Sequence, residues 1–236
     1  MGLCIGFHAP IPGAHYALLA AIGGCEGALA LVVFYRALAI GVMGLTAALT
    51  GLLTALVPVV YSLVRYGLPG PVNLAGLATG CAAIWFITHQ GGSSPVALGR
   101  GAKSNALLLG AIAGIGFGCQ LVLLKLASNG GVLWSLTWTR IAGVAALMFT
   151  LAAMRPRAAV KAFFAIGLVA GVLDTLGNLF YVLAAQAGRL DIAAMVSSLY
   201  PAGTMLLAAI VLRERPSRRQ MAGIGLALAA VVMLSV

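Results

Sequence analysis

Four ionisable side chains interrupt stretches of sequence that are otherwise apolar enough to lie inside a membrane: Glu26, Lys125, Arg140 and Asp174. Placing a charge at the centre of a bilayer costs from about 3 to more than about 10 kcal/mol, so a residue of this kind is a functional candidate. A carboxylate at Glu26 or Asp174 could bind the amine of a substrate or carry a coupled proton. The alternative is that each acid is only a structural ion-pair partner of Arg140 or Lys125.

The two bases differ in what they require. An arginine is far less easily neutralised than a lysine, so Arg140 must find an acid, backbone carbonyls or an anionic substrate, and we predict that it pairs with Asp174 or Glu26. Lys125 lies near the end of its apolar stretch and can extend its ammonium group to the lipid headgroups. It is therefore the weakest of the four candidates.

Polar residues and glycines recur at spacings of three and four around Asp174. Gly167, Gly171, Asp174, Asn178 and Tyr181 would thus lie along one face of a helix. Asn178 can donate and accept hydrogen bonds with a zwitterion, and Tyr181 offers a hydroxyl group and an aromatic face. Hydrogen bonding between neighbouring helices would explain both residues equally well.

The next apolar stretch carries Ser197, Tyr200 and Pro201, which are further substrate-binding and gating candidates. Pro201 removes one backbone N–H from the helical ladder and favours a kink. A kinked helix beside a cavity could move during transport, although proline kinks are also common in purely structural membrane helices.

No motif indicates an enzyme, a metal site or a cofactor. The four cysteines show no C-x-x-C spacing, and the three histidines show no ligand spacing. Hydrolase and metalloprotease signatures are absent from the sequence. We therefore expect no catalytic residue, no metal and no cofactor.

The composition places these residues in a bilayer. Hydrophobic residues make up 62% of the 236 residues and charged residues only 8%, whereas a soluble domain carries about 25% charge. The net charge of +10 reflects membrane topology and anionic headgroups, because no basic surface interleaved with aromatic residues suggests nucleic acid.

Turn residues and charge clusters divide the chain into about eight apolar stretches. A spanning helix needs about 20 such residues, and the alternation typical of a barrel is absent. The sequence predicts an all-α, polytopic transmembrane helix bundle. The predicted spans are 15–40, 43–64, 71–88, 105–127, 132–153, 162–186, 192–212 and 220–236.

The second half of the sequence repeats the first at an offset of 147 residues. Five predicted spans separate matching points, and this odd number means that the two copies face opposite ways, as in many secondary transporters. Glu26 and Asp174 fall one position apart on equivalent helices and could face one central cavity. Coincident identities include Gly24 with Gly171, Gly41 with Gly188, Pro69 with Pro216, and Gly76 with Gly223.

Three segments resemble the EamA family of the drug/metabolite transporter superfamily. Residues 198–235 resemble its closing two helices, with an early proline, a glutamate after the first helix and a glycine opening the second. FYRALAIG at 34–41 resembles the end of its third helix, and TWTRIAGVAALMF at 137–149 its seventh, with Arg140 at the usual arginine. Two departures are that Gly67 stands where the offset places the mate of Glu214, and that Pro58 lies 143 residues before Pro201.

The resemblance implies inverted five-helix repeats, the first of them lacking two helices. We expect an N-terminal loop remnant at 1–14, a partial first repeat of three helices at 15–90, a linker at 91–103 and a complete second repeat at 104–236. It also implies a secondary transporter that exports a small metabolite, such as an amino acid or amine, with proton coupling as a candidate energy source. The alternative is a truncated, non-transporting membrane protein that acts as a subunit or modulator of another.

The expected partners are a small-molecule substrate and the lipid bilayer, with a homodimer as a further option and no nucleic acid. The expected location is the bacterial inner membrane, crossed several times. Basic clusters at 100–103, 155–161 and 213–219 all fall on one side, which the positive-inside rule makes cytoplasmic. Charge counting therefore places both ends of the chain on the other side.

Overall fold

The computed structural model describes residues 12–40, 43–88, 100–154, 164–199 and 217–234. Within these ranges the chain forms eight α-helices and no strand, which confirms the predicted all-α class. The helices are α1 (Ala14–Ile40), α2 (Met43–Tyr66), α3 (Pro71–Thr88), α4 (Arg100–Ser128), α5 (Val132–Met154), α6 (Phe164–Ala187), α7 (Leu190–Ser198) and α8 (Arg218–Leu234).

Several of these helices are long and apolar enough to cross a membrane. A helix in lipid satisfies every backbone amide within its own segment, so long apolar runs of this chain become helices. Among the described residues, the five full-length candidates are Ala14–Ile40, Leu49–Tyr66, Ser104–Ser128, Val132–Ala153 and Gly167–Ala187, and two shorter apolar helices are Pro71–Phe86 and Met221–Leu234. The chain is thus a polytopic helical membrane protein.

The chain divides into two compact units. The first comprises Met1–Leu29 with Gln120–Gly188, and the second comprises Ala30–Cys119 with Arg189–Val236. In the first unit, α1 packs closely on α5, where the Thr139 hydroxyl donates to the Ala20 carbonyl at 3.1 Å. Gln186 on α6 donates from Nε2 to the carbonyl of Ser128, at the end of α4, at 3.0 Å. These bonds tie α1 to α5 and α4 to α6.

The second unit holds an apolar core between α2, α3, α7 and α8, with Ala55, Ile84, Met195 and Ala230 among its buried members. Gly76, near the start of α3, packs against Leu234 at the end of α8, so these two helices run antiparallel. The α2 helix packs on α4 at Thr50, whose hydroxyl lies 2.9 Å from the Gly110 carbonyl and 2.9 Å from the Thr46 carbonyl of its own helix, so the two carbonyls share its one proton.

The ends of the helices recur at the offset found in the sequence. The ends of α1 and α6, the starts of α2 and α7, and the starts of α3 and α8 are each 147 residues apart. Turn and helix-end positions therefore repeat, as well as residue types. This spacing is compatible with the repeat that the sequence predicts.

Candidate functional site

The candidate site is centred on an ion pair between two membrane-spanning helices of the first unit. Arg140 Nη1 lies 2.5 Å from Asp174 Oδ2. Arg140 is near the middle of α5 and Asp174 is near the middle of α6, and both helices are candidate membrane spans. The sequence left Arg140 with two possible acid partners, and the structure shows the pairing with Asp174.

The carboxylate of this ion pair is largely exposed, and the guanidinium has hydrogen-bond donors left over within the described part of the chain. The side chain of Asp174 is 62% exposed, and that of Arg140 is 33% exposed. Arg140 also has two buried nitrogen atoms, Nε and Nη2, that have no hydrogen-bond partner in the described part of the chain. The arginine therefore keeps donor capacity beyond its bond to Asp174, and the aspartate keeps an open carboxylate edge.

The other residues of the predicted stripe on α6 have different surroundings. Asn178 lies one turn beyond Asp174 and is half-buried. Tyr181 is buried, and its hydroxyl donates to the Leu121 carbonyl of α4 at 3.0 Å. The Tyr181 hydroxyl is thus engaged between helices, which is the structural alternative considered for it.

Glu26 lies half-buried on α1, in the same unit as Asp174. The 147-residue offset pairs Asp174 with Gly27 and not with Glu26. A methyl group added at Gly27 would overlap the side-chain amide of Gln120 on α4. Successive helical residues differ by about 100° around the axis, so Glu26 lies about that far from the position that the offset pairs with Asp174, and a cavity shared by the two acids stays a prediction.

The remaining predicted site residues lie on α4 and in the segment that begins with α7. Ser197 is exposed near the end of α7, while Tyr200 and the gating candidate Pro201 lie outside the described residues. Lys125 is half-buried in the last turn of α4. Across the described ranges, no three His, Cys, Asp or Glu side chains gather in a way that could hold a metal ion.

A second ion pair, in the second unit, is one that the sequence analysis missed. Arg189 Nε donates to Asp191 Oδ1 at 3.1 Å and Arg189 Nη2 to Asp191 Oδ2 at 3.1 Å, so the contact is bidentate. Asp191 is fully buried, whereas the Arg189 side chain is 29% exposed. The sequence did contain a signal for this pair. Carboxylates favour helix N-termini, and Asp191 lies in the first turn of α7, two residues after Arg189.

Residues 104–236, more than half of the chain, match the EamA-like transporter family. The chain belongs to the EamA-like transporter family. Membership in the drug/metabolite transporter superfamily follows, as does the broad role of a membrane transporter that works on a small-molecule substrate in a bilayer. Because proteins of this EamA-like family are transporters, an enzymatic role is not indicated.

The EamA-like chain also resembles a solved structure described as "Crystal structure of protein". The two share 16% sequence identity, with 95% of this chain and 87% of the other covered and a TM-score of 0.69. At this level of identity the likeness concerns the fold alone. No curated protein matches the chain.

Proposed function

We propose that this EamA-like protein is a secondary transporter that moves a small charged metabolite, such as an amino acid or amine, by alternating access. One observation carries the proposal: the Arg140–Asp174 ion pair lies midway along two membrane spans with its carboxylate largely exposed. Charges that face lipid at this depth are costly, whereas charges that line a polar chamber are partly solvated. The exposed pair therefore favours a chamber over a lipid-facing surface.

The chemistry of the pair suits a substrate with both charges. An amine can compete with Arg140 for the open edge of Asp174, and a carboxylate can accept bonds from Arg140 Nε and Nη2 once the site opens. A proton on Asp174 would release the substrate amine and weaken the ion pair. Proton exchange is the energy source that we propose, with export as the direction and the bacterial inner membrane as the site.

The helix arrangement supports alternating access. Helices α3 and α8, which the 147-residue offset makes equivalent, pack antiparallel, as two copies of an inverted repeat would. We propose a partial first repeat at 15–90 and a second repeat at 104–236, joined by a linker at 91–103. Two oppositely oriented copies can exchange conformations, and this exchange opens a central site to each side in turn.

The test is flux through proteoliposomes with an imposed pH gradient, using a panel of radiolabelled amino acids and amines. We expect Asp174→Asn and Arg140→Gln each to lower the gradient-driven flux of the transported compound by at least about tenfold, since each removes one charge from the site. Thr175→Val is the matched control, because the Thr175 hydroxyl is already bonded to the Gly171 carbonyl of its own helix at 2.7 Å.

Three results separate the proposal from its alternatives. A folded Asp174→Asn protein with undiminished flux removes the site assignment. Absence of flux for every compound in the wild-type chain would favour the subunit or modulator role over transport. Flux that is lost equally in Thr175→Val would show that α6 tolerates no change, so the ion pair would have no special part.

A further inference from the structure

Arg189 connects the ends of two helices of the second unit, α2 and α7, that are distant in sequence. It precedes α7 and pairs with Asp191 in the first turn of that helix, and its Nη2 also donates to the Gly67 carbonyl at 3.0 Å. Gly67 directly follows α2 and has a φ of +78°, a value that favours glycine. One guanidinium group thus joins the C-terminal end of α2 to the N-terminal end of α7.

Both charges of this contact suit the helix ends that they meet. The arginine lies at the negative end of the α2 dipole, and the aspartate lies at the positive end of the α7 dipole, where Asp191 Oδ1 accepts the Ile192 N–H at 3.1 Å. Asp191 is fully buried, so losing Arg189 would leave an uncompensated charge without water. Asp191 therefore fixes the guanidinium in place, and the Arg189 Nη2 bond to the Gly67 carbonyl is the contact that joins α7 to α2.

We propose that Arg189, Asp191 and the Gly67 carbonyl form a latch, which closes one side of the α2–α7 pair and must break each time that side opens. The inference rests on the alternating access proposed above, because a latch matters only if the helix ends separate. The latch stabilises only the conformation in which this side is closed, so it shifts the equilibrium between the two access states toward that conformation.

The bias is one-sided because the repeat does not reproduce the latch at the other end. The 147-residue offset assigns Val42, Gly44 and Glu214 to the positions of Arg189, Asp191 and Gly67. Val42 has no charge and Gly44 has no side chain, so an Arg–Asp pair cannot form there. The chain should therefore rest with the latched side closed and the opposite side open.

The charge distribution indicates which side this is. The order of the spans places the basic clusters at 100–103 and 213–219 on the opposite side of the membrane from Arg189, and the positive-inside rule makes that side cytoplasmic. The latch then closes the non-cytoplasmic side. A resting state open to the cytoplasm is the state in which an exporter loads its substrate.

Cysteine labelling tests the latch without any knowledge of the substrate. The reporter is Ser62→Cys in an otherwise cysteine-free chain, because Ser62 is buried about one turn before the end of α2 and its Oγ has no partner among the described residues. A membrane-impermeant maleimide is added from the latched side. We expect Arg189→Gln and Asp191→Asn to raise the labelling rate about tenfold or more, as the closed state loses its bias.

Two controls keep the result interpretable. Arg65→Gln removes an exposed arginine from the last turn of α2 and should leave labelling unchanged. Thr46→Cys, buried near the start of the same helix against Gly110, reports unfolding. Faster labelling at Ser62→Cys alone supports the latch. Equal acceleration at both reporters means that the contact only maintains the fold, and no acceleration means that it does not hold the helices closed; either result overturns the proposal.

The labelling experiment tests the latch and the flux experiment tests the proposed function, so either proposal can be contradicted without the other. A chain that labels asymmetrically but transports no compound of the panel keeps the latch as a conformational device and loses the proposed function. A chain that transports while Arg189→Gln leaves labelling unchanged keeps the function and loses the latch.

Discussion

Two glycines that the repeat makes equivalent have opposite surroundings. Gly24 on α1 is buried against α5, where an added methyl group would overlap the Thr139 carbonyl. Gly171 on α6 is exposed, and an added methyl group would meet nothing within 4 Å. The same residue type therefore allows two helices to approach in one place and leaves a face of a helix open in the other.

This contrast gives a matched pair of substitutions. Gly24→Ala forces α1 and α5 apart and should lower the free energy of unfolding by about 1–3 kcal/mol. Gly171→Ala should be neutral or stabilising by up to about 1 kcal/mol, because alanine is the better helix former. Thermal unfolding in detergent micelles compares the two, and equal effects would contradict the packing described for Gly24.

The pairing of Arg140 shows what residue types predict and what they do not. Arginine inside an apolar span predicts an acidic partner, and the partner is Asp174. The sequence could not choose between Asp174 and Glu26, because pairing across helices depends on how each helix is rotated about its own axis. The sequence analysis missed the latch residue Asp191 for a related reason. Its partner Arg189 also donates to the Gly67 carbonyl, and the sequence does not show that these distant residues meet.

At the level of helices, apolar stretches predicted the elements well and their ends less well. The α4 helix begins at Arg100, five residues before the predicted start of its span. Charged residues mark the edge of the apolar stretch in the sequence, but a helix does not have to end there, because its backbone hydrogen bonds can continue outside the hydrocarbon region. Starts without flanking charge, such as Met43 for α2, coincide with their predictions.

The contact between α2 and α4 offers a test of helix-to-helix hydrogen bonding. Thr50→Val removes the bond to the Gly110 carbonyl and should cost about 0.6 kcal/mol, the average measured for such bonds between membrane helices, and no more than about 1.7 kcal/mol. Thr150→Val is the control, because the Thr150 hydroxyl bonds only to Ala146 of its own helix. A melting temperature lowered in Thr50→Val and unchanged in Thr150→Val supports the contact; equal shifts would show that intrahelical bonding explains both.

At the level of the whole molecule, the offset in the sequence also appears in the helix ends, although few residue identities accompany it. Position, more than residue type, is what the two copies share: α3 and α8 start 147 residues apart, yet one starts with Pro71 and the other with Arg218. Residue identity changes where each copy has acquired its own contacts, as Asp174 and Gly27 have. The sequence pattern therefore predicts the 147-residue offset of the helix ends but not the contacts that each helix makes.

The proposed inverted repeat places two equivalent residues on opposite sides of the membrane, and a topology experiment tests this. Gly70 precedes α3 and Ser217 precedes α8, both are exposed, and they lie 147 residues apart. In a cysteine-free chain in intact cells, Gly70→Cys should react with an impermeant maleimide from outside, whereas Ser217→Cys, beside Arg218 and Arg219, should react only after the membrane is permeabilised. Asn129→Cys, in the exposed turn between α4 and α5, is the control and should behave as Gly70→Cys does, because two helices separate their sides. If both equivalent positions react from the same side, the copies are parallel, and alternating access between mirrored bundles has no structural basis in this chain.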